Sequence, residues 1–389
     1  MNVLHVIPSA DIHLGGPVNV IKPMLAALIS LGIRIALVAT SPARGIDNCY
    51  PCEVKYPVYK FPSILGHQWG ISPGCAKWLN EHVQDYDLVH IHSIFTFTTL
   101  ATSHACQKRK VPYLIRPCGV LSYIGLHQKQ FKKMLYMKLL ERNNLNKASA
   151  IHCASASEAE AVSRWVPCRK VKIVPLGTAE PHLLASQATS PFESLKAGRK
   201  QPIVFMSRIA PGKGVELLIE TADILRKRRS DFIFVICGSQ NSLYERRLKK
   251  MIYDKGLLMY FKFLDFLDGP LKSRVLQDAV CFVLPSINES FGVSVIEAMA
   301  CGAPVVISKQ VGIAEQISAS GAGLVVDCNP NEFANAVELL LVDPQKRLLF
   351  ADRGKTLVSE KFRWEKVAPQ IVDMYREILN EKGGKVTDA

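Results

Sequence analysis

The sequence predicts an α/β protein of two Rossmann-like domains, each a doubly wound parallel sheet covered by helices on both faces. Short β-branched runs alternate with helical stretches along the whole chain, which is the order expected of a doubly wound sheet. Several of these runs are almost entirely apolar, as strands are when helices cover both faces of a sheet. The 389 residues are enough for two domains of ordinary size.

Twelve strands are predicted, six in each half of the chain. In the first half they are Val3–Ile7, Arg34–Ala39, Leu88–His92, Pro112–Arg116, Ala150–Ala154 and Lys172–Val174. In the second half they are Ile203–Ser207, Phe232–Cys237, Phe261–Leu264, Cys281–Leu284, Val305–Ile307 and Leu324–Val326. Their short length and apolar composition fit strands rather than helices.

A stretch rich in Ser, Ala and Pro and without periodicity separates the two halves. We therefore predict an N-terminal domain over residues 1–178, a linker over 179–200 and a C-terminal domain over 201–365. Residues 366–389 are expected to pack back toward the N-terminal domain. The last helix is predicted over Trp364–Leu379, and its apolar face consists of Val367, Ile371, Met374, Tyr375 and Ile378.

The composition is that of a globular protein, with 48% hydrophobic and 21% charged residues. No apolar run approaches the ~20 residues that cross a bilayer, and the first ten residues lack the basic segment of a signal peptide. We therefore expect a cytoplasmic location, with peripheral binding at the inner face of the membrane as an option. Cys49 and Cys52 form a C-x-x-C pair, but no second ligand pair accompanies it, so two ordinary loop cysteines are expected.

The net charge of +14 comes mainly from the first half of the chain. Residues 1–178 carry 20 lysines and arginines against 9 acids, whereas residues 179–389 carry 28 against 25. Much of the excess lies in residues 128–147, which have the pattern of a basic amphipathic helix. Such a helix is either an ordinary solvated face or a surface for an anionic membrane or substrate. No nucleic-acid partner is expected, because no zinc-finger, RNP-type or GXXG pattern accompanies the charge.

The strongest candidate site follows the fourth predicted strand of the second half. There Glu289 precedes a helix whose N-cap is predicted at Ser290 and whose end is predicted at Gly302. Gly292 would let a ligand approach the backbone, where the amides of the first turn favour a phosphate. Glu289 and Glu297 can accept hydroxyl donors beside it. The pattern suits a sugar phosphate, although a capped helix with two solvent-facing acids would have the same sequence.

A second candidate site follows the predicted strand Ile203–Ser207. Arg208 and Lys213 lie five residues apart across a turn that contains Gly212 and Gly214. They offer a bidentate fork and a point charge to one diphosphate. The turn is neither a Walker A loop nor a G-x-G-x-x-G loop, so it is not specific by itself.

Together the two candidate sites resemble the GT-B-fold retaining glycosyltransferases of "group 1", also called family 4. Glu289 and Glu297 match that family's Glu-x7-Glu motif, and Arg208 and Lys213 match its R-x-x-x-x-K-G turn. Further matches in the first half are Gly15, Gly16, Asp87, Val89, His90 and His92. The resemblance extends over essentially the whole chain and is most specific in the second half. It implies the GT-B architecture, in which the two domains face each other across a cleft.

The resemblance also implies a role for each matched residue. Arg208 and Lys213 would neutralise the donor diphosphate as the glycosidic bond breaks. Glu289 would hold the sugar hydroxyls and Glu297 the ribose hydroxyls. The other implied donor contacts are Gly15, Gly16, Gly238, Phe266, Leu267, Ser290, Phe291, Gly292 and Val293. No metal or cofactor is implied besides the nucleotide-diphospho sugar, and the departing phosphate would take the acceptor proton on the same face.

Three positions bear on the acceptor side and the base side of the predicted site: one has two possible roles, and two differ from the usual family residue. His92 is either a strand-end histidine that packs against a neighbour or a catalytic group near the acceptor hydroxyl or donor sugar. Cys118 stands where many relatives carry His or Arg, and Arg116 is then the candidate for an anion contact. Asp265 replaces the usual Gly after the base-side strand.

The predicted reaction is sugar transfer from a UDP-glucose-like donor, or second a GDP-mannose-like donor, to a polysaccharide or lipid-linked glycan. Residues 113–147 look most like those of enzymes that build bacterial surface polysaccharides, so the basic helix would attract anionic lipid or a lipid-linked acceptor. Other interpretations are an epimerase or phosphorylase with the same fold, and a catalytically silent nucleotide-sugar-binding scaffold at the membrane.

Overall fold

The computed structural model describes residues 1–9, 17–42, 54–64, 70–121, 134–181, 192, 200–239 and 241–381. The chain forms two compact units. Unit 1 comprises Met1–Gly177 and Trp364–Ala389, and unit 2 comprises Thr178–Arg363. The last helix therefore belongs to the same unit as the beginning of the chain.

Unit 1 is built on a seven-stranded parallel sheet in the order β3-β2-β1-β4-β5-β6-β7. Its strands are β1 (Asn2–Ile7), β2 (Arg34–Pro42), β3 (Val58–Ser63), β4 (Leu88–His92), β5 (Tyr113–Arg116), β6 (Ala150–Cys153) and β7 (Val171–Ile173). The helices between them are α1 (Pro17–Ser30), α2 (Pro73–His82), α3 (Phe97–Arg109), α4 (Arg142–Lys147) and α5 (Ala156–Ser163). Two 3₁₀ turns, Val83–Asp85 and Cys168–Lys170, and a π-helical segment, Met137–Glu141, complete the unit.

Unit 2 is built on a six-stranded parallel sheet in the order β10-β9-β8-β11-β12-β13. Its strands are β8 (Gln201–Met206), β9 (Phe232–Ser239), β10 (Phe261–Asp265), β11 (Cys281–Leu284), β12 (Val305–Ser308) and β13 (Gly323–Val326). Its helices are α6 (Val215–Leu225), α7 (Leu243–Asp254), α8 (Gly269–Gln277), α9 (Val293–Ala300), α10 (Ala314–Ser320), α11 (Pro330–Val342) and α12 (Pro344–Leu357). A 3₁₀ turn, Leu258–Tyr260, and a π-helical segment, Val358–Phe362, complete it.

The predicted fold class is confirmed, and all twelve predicted strands are present with ends that differ by at most three residues. β3 is an additional strand that the sequence did not indicate. It lies at the edge of the sheet, Tyr59 and Lys60 are exposed, and Pro62 stands inside it. Such a strand has no continuous apolar run, and proline is tolerated at a sheet edge because one side of the strand is unpaired.

The last helix, α13 (Trp364–Glu381), packs on α1 in unit 1. The predicted apolar face of this helix is buried along its whole length, from Val367 to Ile378. Among the helices that the structure describes, none is long and apolar enough to cross a membrane. Cys49 and Cys52 lie outside the described residues.

Candidate active site

The two candidate loops of unit 2 meet at the carboxyl edge of its sheet, between β8 and β11. From β8 the chain continues to β9 and β10 on one side, whereas from β11 it continues to β12 and β13 on the other. A reversal of strand order opens a crevice at the carboxyl ends of the strands, where doubly wound sheets bind ligands. Arg208 and Lys213 follow β8, and Glu289 follows β11.

Backbone hydrogen bonds hold the two loops in register. The Gly212 carbonyl accepts from the Ser286 hydroxyl and from the Ile287 amide, both at 3.0 Å. The Glu289 carbonyl accepts from the Gly312 amide at 2.8 Å. The Glu289 backbone is therefore fixed by the neighbouring loops, and this fixed backbone sets the direction of the carboxylate side chain.

Two lysine–glutamate pairs occupy this edge of the sheet. Lys213 Nζ donates to Glu289 Oε2 at 2.5 Å, and the two side chains are only 18% and 19% exposed. Lys272 Nζ donates to Glu297 Oε1 at 2.6 Å, and both of these side chains are about a quarter exposed. Each pair can open toward a ligand that brings an anion for the lysine and hydroxyl groups for the carboxylate.

Lys272 was not among the predicted site residues. It lies on α8, 25 residues before Glu297, in a stretch without a pattern of its own. The packing of α8 against the rest of unit 2 brings the two together, and the sequence contained no signal of that approach.

The helices α6 and α9 both begin at this edge directly after a glycine. Gly214 has φ 86° and Gly292 has φ 105°, and neither helix receives a side-chain cap from the described residues. In the same unit, by contrast, Ser242, Asp268 and Asn329 cap their helices with side-chain oxygens. The two helix N-termini consequently present backbone amides and positive dipole ends to the crevice.

The predicted N-cap of α9 is wrong: the position belongs to Gly292, two residues after Ser290. The turn requires a left-handed backbone, which glycine adopts without strain. Space also excludes a side chain, because a Cβ at residue 292 would lie 2.8 Å from Val311 Cγ1. A Cβ at Gly214 would lie 2.0 Å from the Pro285 carbonyl oxygen, so the same holds at the start of α6.

Three further predicted donor contacts, Gly238, Phe266 and Leu267, lie at the carboxyl ends of β9 and β10. Gly238 lies at a bulge where the β9–β10 register shifts between Leu264 and Asp265. There is no room for a Cβ at Gly238, which would lie 2.3 Å from the Ser207 carbonyl oxygen. Phe266 and Leu267 come directly after β10 and are half-buried.

The remaining predicted donor contacts do not share one environment. One is exposed, one is buried in the core, and two lie in a part of the chain that the structure does not describe. Arg208 is exposed after β8, and Val293 is the first residue of α9. The Phe291 ring is buried against Phe362, with ring centroids 5.7 Å apart, so this residue can offer a ligand only its backbone. Gly15 and Gly16 lie outside the described residues.

Unit 1 carries a layer of buried basic side chains on one face of its sheet. The β1–β4 register pairs His5 with His90, and the β4–β5 register pairs His92 with Arg116. The β5–β6 register pairs Ile115 with Ile151, so the next residue of β6, His152, lies beside Arg116. Because directly paired residues of neighbouring strands point to the same face, these five side chains lie side by side, and all are buried.

Two histidines of this layer form a chain of hydrogen bonds with a defined direction, which ends at the hydroxyl of Tyr375 on the last helix. His152 Nε2 must donate to the Val174 carbonyl at 2.9 Å, so its Nδ1 accepts from His90 Nε2 at 3.4 Å. His90 Nδ1 then accepts from the Tyr375 hydroxyl at 2.7 Å. All these rings are neutral, because burial lowers the pKa of His152 to about 3 and that of His90 well below its ordinary value.

His92 is buried within this layer. Its Nε2 lies 3.0 Å from His5 Nδ1, and its ring stacks on His90 with centroids 4.1 Å apart. It therefore packs against neighbours, while its Nδ1 has no hydrogen-bond partner in the described part of the chain. The catalytic role of His92 stays a prediction. His5, His90 and His92 bring nitrogens within 4.8 Å, but both nitrogens of His90 are engaged, so we assign no metal to them.

Family models match both halves of the chain. Residues 15–177 match the model described as a glycosyl transferase 4-like domain. Residues 186–357 match the model described as glycosyl transferases group 1. The first range falls in unit 1 and the second in unit 2.

Curated relatives are glycosyltransferases. The chain is 34% identical over 183 residues to the D-inositol 3-phosphate glycosyltransferase of Paenarthrobacter aurescens, covering 46% of this chain and 44% of that protein. It is 27% identical over 316 residues to the uncharacterized glycosyltransferase MJ1607 of Methanocaldococcus jannaschii, covering 77% and 78% of the two proteins. The chain spans less than half the length of the first of these relatives.

Solved structures share the fold along the whole chain. Alr3699/HepE of Anabaena in complex with UDP-glucose superposes with a TM-score of 0.76 at 20% identity, covering 97% of this chain and 100% of that one. Sucrose-phosphate synthase of Thermosynechococcus elongatus gives a TM-score of 0.77 at 19% identity, covering 98% and 100%. The two Rossmann-like sheets and these structural neighbours confirm the GT-B fold. The 4-like domain matched in unit 1 and the group 1 domain matched in unit 2 together support a glycosyltransferase of the family 4, or group 1, type.

Proposed function

We propose that the protein is a retaining, metal-independent glycosyltransferase that takes its sugar from a nucleotide-diphospho sugar, first UDP-glucose and second GDP-mannose. The observation that carries the proposal is the Lys213–Glu289 pair between the N-termini of α6 and α9. It combines a cation and two positive dipole ends for a diphosphate with a carboxylate for sugar hydroxyls. The complex of Alr3699/HepE with UDP-glucose supports UDP as the first nucleotide to test.

The proposed mechanism depends on charge that appears as the glycosidic bond breaks. Negative charge then grows on the departing diphosphate, where Lys213, Arg208 and the first amides of α9 would stabilise it. Glu289, released from Lys213, would accept hydrogen bonds from the sugar hydroxyls. The departing phosphate would take the acceptor proton on the same face, so the anomeric configuration is retained without a protein nucleophile.

Replacement of Glu297 tests the nucleotide end of this site. We expect Glu297→Gln to weaken UDP binding about 10- to 100-fold, since a charged hydrogen bond to the ribose is lost and Lys272 loses its partner. Calorimetric titration without metal measures the change. Glu338→Gln, which removes a comparable surface pair with Arg228 in the same unit, is the control and should bind UDP normally. Equal UDP affinity in Glu297→Gln and wild type would contradict the assignment.

Turnover separates the enzyme from the alternative of a silent nucleotide-sugar-binding scaffold. UDP, GDP and ADP and their sugar conjugates are titrated first, with and without Mg²⁺, and the tightest conjugate is then incubated with a membrane lipid extract as acceptor. The enzyme releases the nucleotide diphosphate in proportion to protein, and equally well with a metal chelator present. Binding without release would favour the scaffold, and release only with Mg²⁺ would contradict the metal-independent mechanism.

We further propose that unit 1 meets an anionic membrane surface through its basic helical segment. The predicted helix is confirmed for residues 134–147, and residues 128–133 lie outside the described ones. Leu135, Lys138, Leu139 and Arg142 share the helical spacing of one face, and all four are exposed. Leu135 is 50% and Leu139 67% exposed. Two leucines flanked by cations are the composition of a helix that lies in a membrane interface.

A double substitution tests the membrane proposal. Leu135→Asp with Leu139→Asp should reduce co-sedimentation with phosphatidylglycerol vesicles at low salt by at least about tenfold, because apolar contact is lost and negative charge is added. Leu243→Asp, at an 81% exposed leucine of α7, is the matched control. If both variants sediment like the wild type, the membrane contact does not exist.

A further inference from the structure

Arg116 is the one permanently charged group in the basic layer of unit 1. It is the last residue of β5 and is only 4% exposed. Its Nε and Nη1 atoms are buried without hydrogen-bond partners, and it forms no ion pair with any residue that the structure describes. A guanidinium that is removed from water without a counter-ion is strongly unfavourable, so this position calls for an anion.

The histidines beside Arg116 cannot neutralise it, because burial keeps them neutral. Two of their nitrogens, His5 Nε2 and His92 Nδ1, are also buried without partners. The inner nitrogens of these two rings share one proton across 3.0 Å. Whichever ring donates it, one of the two outer nitrogens carries a hydrogen and the other is a bare acceptor. The cluster therefore offers three unpartnered donor nitrogens and one acceptor nitrogen with a net positive charge.

The cluster lies where a doubly wound sheet binds ligands. β1, β4 and β5 are adjacent, and the strand order reverses between β1 and β4. The loops after β4 and β5 are strained, because three non-glycine residues have positive φ: Ser93 at 89°, Phe95 at 60° and Cys118 at 57°. The Ser93 amide donates to the Arg116 carbonyl at 2.8 Å and so couples the two loops. Strain of this kind persists at sites where the local geometry serves a ligand.

We infer that Arg116, together with His5 and His92, forms a binding site for a phosphate group in unit 1. A phosphate supplies several acceptor oxygens for the three donor nitrogens, and its protonated oxygen or a neighbouring hydroxyl can donate to the bare imidazole nitrogen. The ligand class is a sugar phosphate or a diphosphate-linked lipid, that is, a phosphate-bearing acceptor. The phosphate site stands on the cluster alone, whereas its assignment to the acceptor rests on the proposed function.

Phosphate binding to Arg116 variants tests the site. Inorganic phosphate is titrated into the full-length protein in the presence of saturating UDP, so that the diphosphate site of unit 2 is filled. Arg116→Met should bind phosphate about 10- to 100-fold more weakly than the wild type, and Arg116→Lys should fall between them because it keeps the charge and loses the fork. Arg169→Met, at an exposed arginine of unit 1, is the control. Equal phosphate affinity in Arg116→Met and wild type would overturn the site.

Thermal unfolding without phosphate distinguishes a ligand site from a structural ion pair. Removal of an uncompensated buried charge should leave the melting temperature of Arg116→Met unchanged or raise it. A clear fall, or failure of this variant to fold, would show that the guanidinium has a structural partner and would overturn the inference. If UDP itself does not bind, the proposed function fails, while the comparison of Arg116→Met with the wild type still decides the phosphate site.

Two phosphate-bearing probes identify the source of the ligand. Glucose 6-phosphate and farnesyl diphosphate are titrated under the same conditions as inorganic phosphate. Tighter binding of the first favours a soluble sugar-phosphate acceptor, and tighter binding of the second favours a lipid-linked one. If neither binds more tightly than inorganic phosphate, the acceptor assignment is wrong.

Discussion

Lys213→Met is expected to lower kcat for glycosyl transfer by about 10²- to 10³-fold, which is the range found when one preorganised group facing transition-state charge is removed. Lys213 lies 2.5 Å from Glu289 at the carboxyl edge of the unit 2 sheet. The charge on the departing diphosphate increases as the glycosidic bond breaks, so the loss should fall more on kcat than on the KM for the donor. Steady-state release of the nucleotide diphosphate measures both constants.

Two comparisons make the Lys213 experiment specific. Lys309→Met removes a lysine whose pair with Asp327 is mostly exposed in the same unit, and it should change kcat less than about twofold. Lys213→Met and Glu289→Gln act on one pair, so the double variant should lose far less than the product of the single losses. A Lys213→Met protein that keeps half of the wild-type kcat would contradict the proposed role.

Acidification from pH 7 to pH 5 is expected to destabilise unit 1 by about 6 kcal/mol, which is comparable to the whole stability of a domain. Burial lowers the pKa of His5 and His152 to about 3 and the pKa of His90 and His92 well below the ordinary 6.5. Below pH 6.5 the unfolded chain binds protons at these four histidines and the folded chain does not. Their stabilisation is therefore complete above pH 6.5 and is lost as the pH falls toward 3, by about 2 kcal/mol per histidine at pH 5.

Glu141 acts in the opposite direction and reduces the effect. Burial raises its pKa to about 7, so between pH 7 and 4.5 the folded state holds a proton that the unfolded state releases. Acidification therefore makes the contribution of Glu141 to the free energy of unfolding more favourable. The gain offsets about as much stability as one of the histidines loses. On acidification the stability lost at four histidines exceeds the stability gained at one carboxyl, so the net effect on unit 1 is destabilising.

Thermal unfolding of the full-length protein at several pH values between 5 and 8 measures this dependence. The transition of unit 1 should move to lower temperature on acidification, whereas unit 2, whose described residues contain no histidine, serves as an internal reference. His152→Gln should flatten the dependence by about a third, and His82→Gln, at a half-exposed histidine, should not change it. Equal melting of unit 1 at pH 7 and pH 5 would refute the neutral, buried histidine layer.

Local sequence patterns were sufficient to predict most of the fold and the acids and cations of the unit 2 site that lie within one loop or helix. Buried parallel strands are continuous apolar runs, so twelve of the thirteen strands could be predicted, whereas β3 could not because an exposed edge strand lacks such a run. Arg208, Lys213, Glu289 and Glu297 could be found because their spacing within a loop or a helix is visible in one segment. The N-cap at Ser290 was wrong because the helix begins after a left-handed turn at Gly292, where a Cβ would clash with Val311, a residue from another loop.

The sequence by itself determined the two doubly wound sheets, the apolar face of the last helix and the acid and lysine motifs of unit 2, because each depends on neighbours a few residues apart. Only the tertiary structure decided which side chains meet. It brought Lys272 to Glu297, Tyr375 to His90, and Arg116 into a row with His5, His92 and His152. These contacts depend on strand register and helix packing between distant segments, and the hydrophobic core that sets both is a property of each folded unit rather than of any one segment.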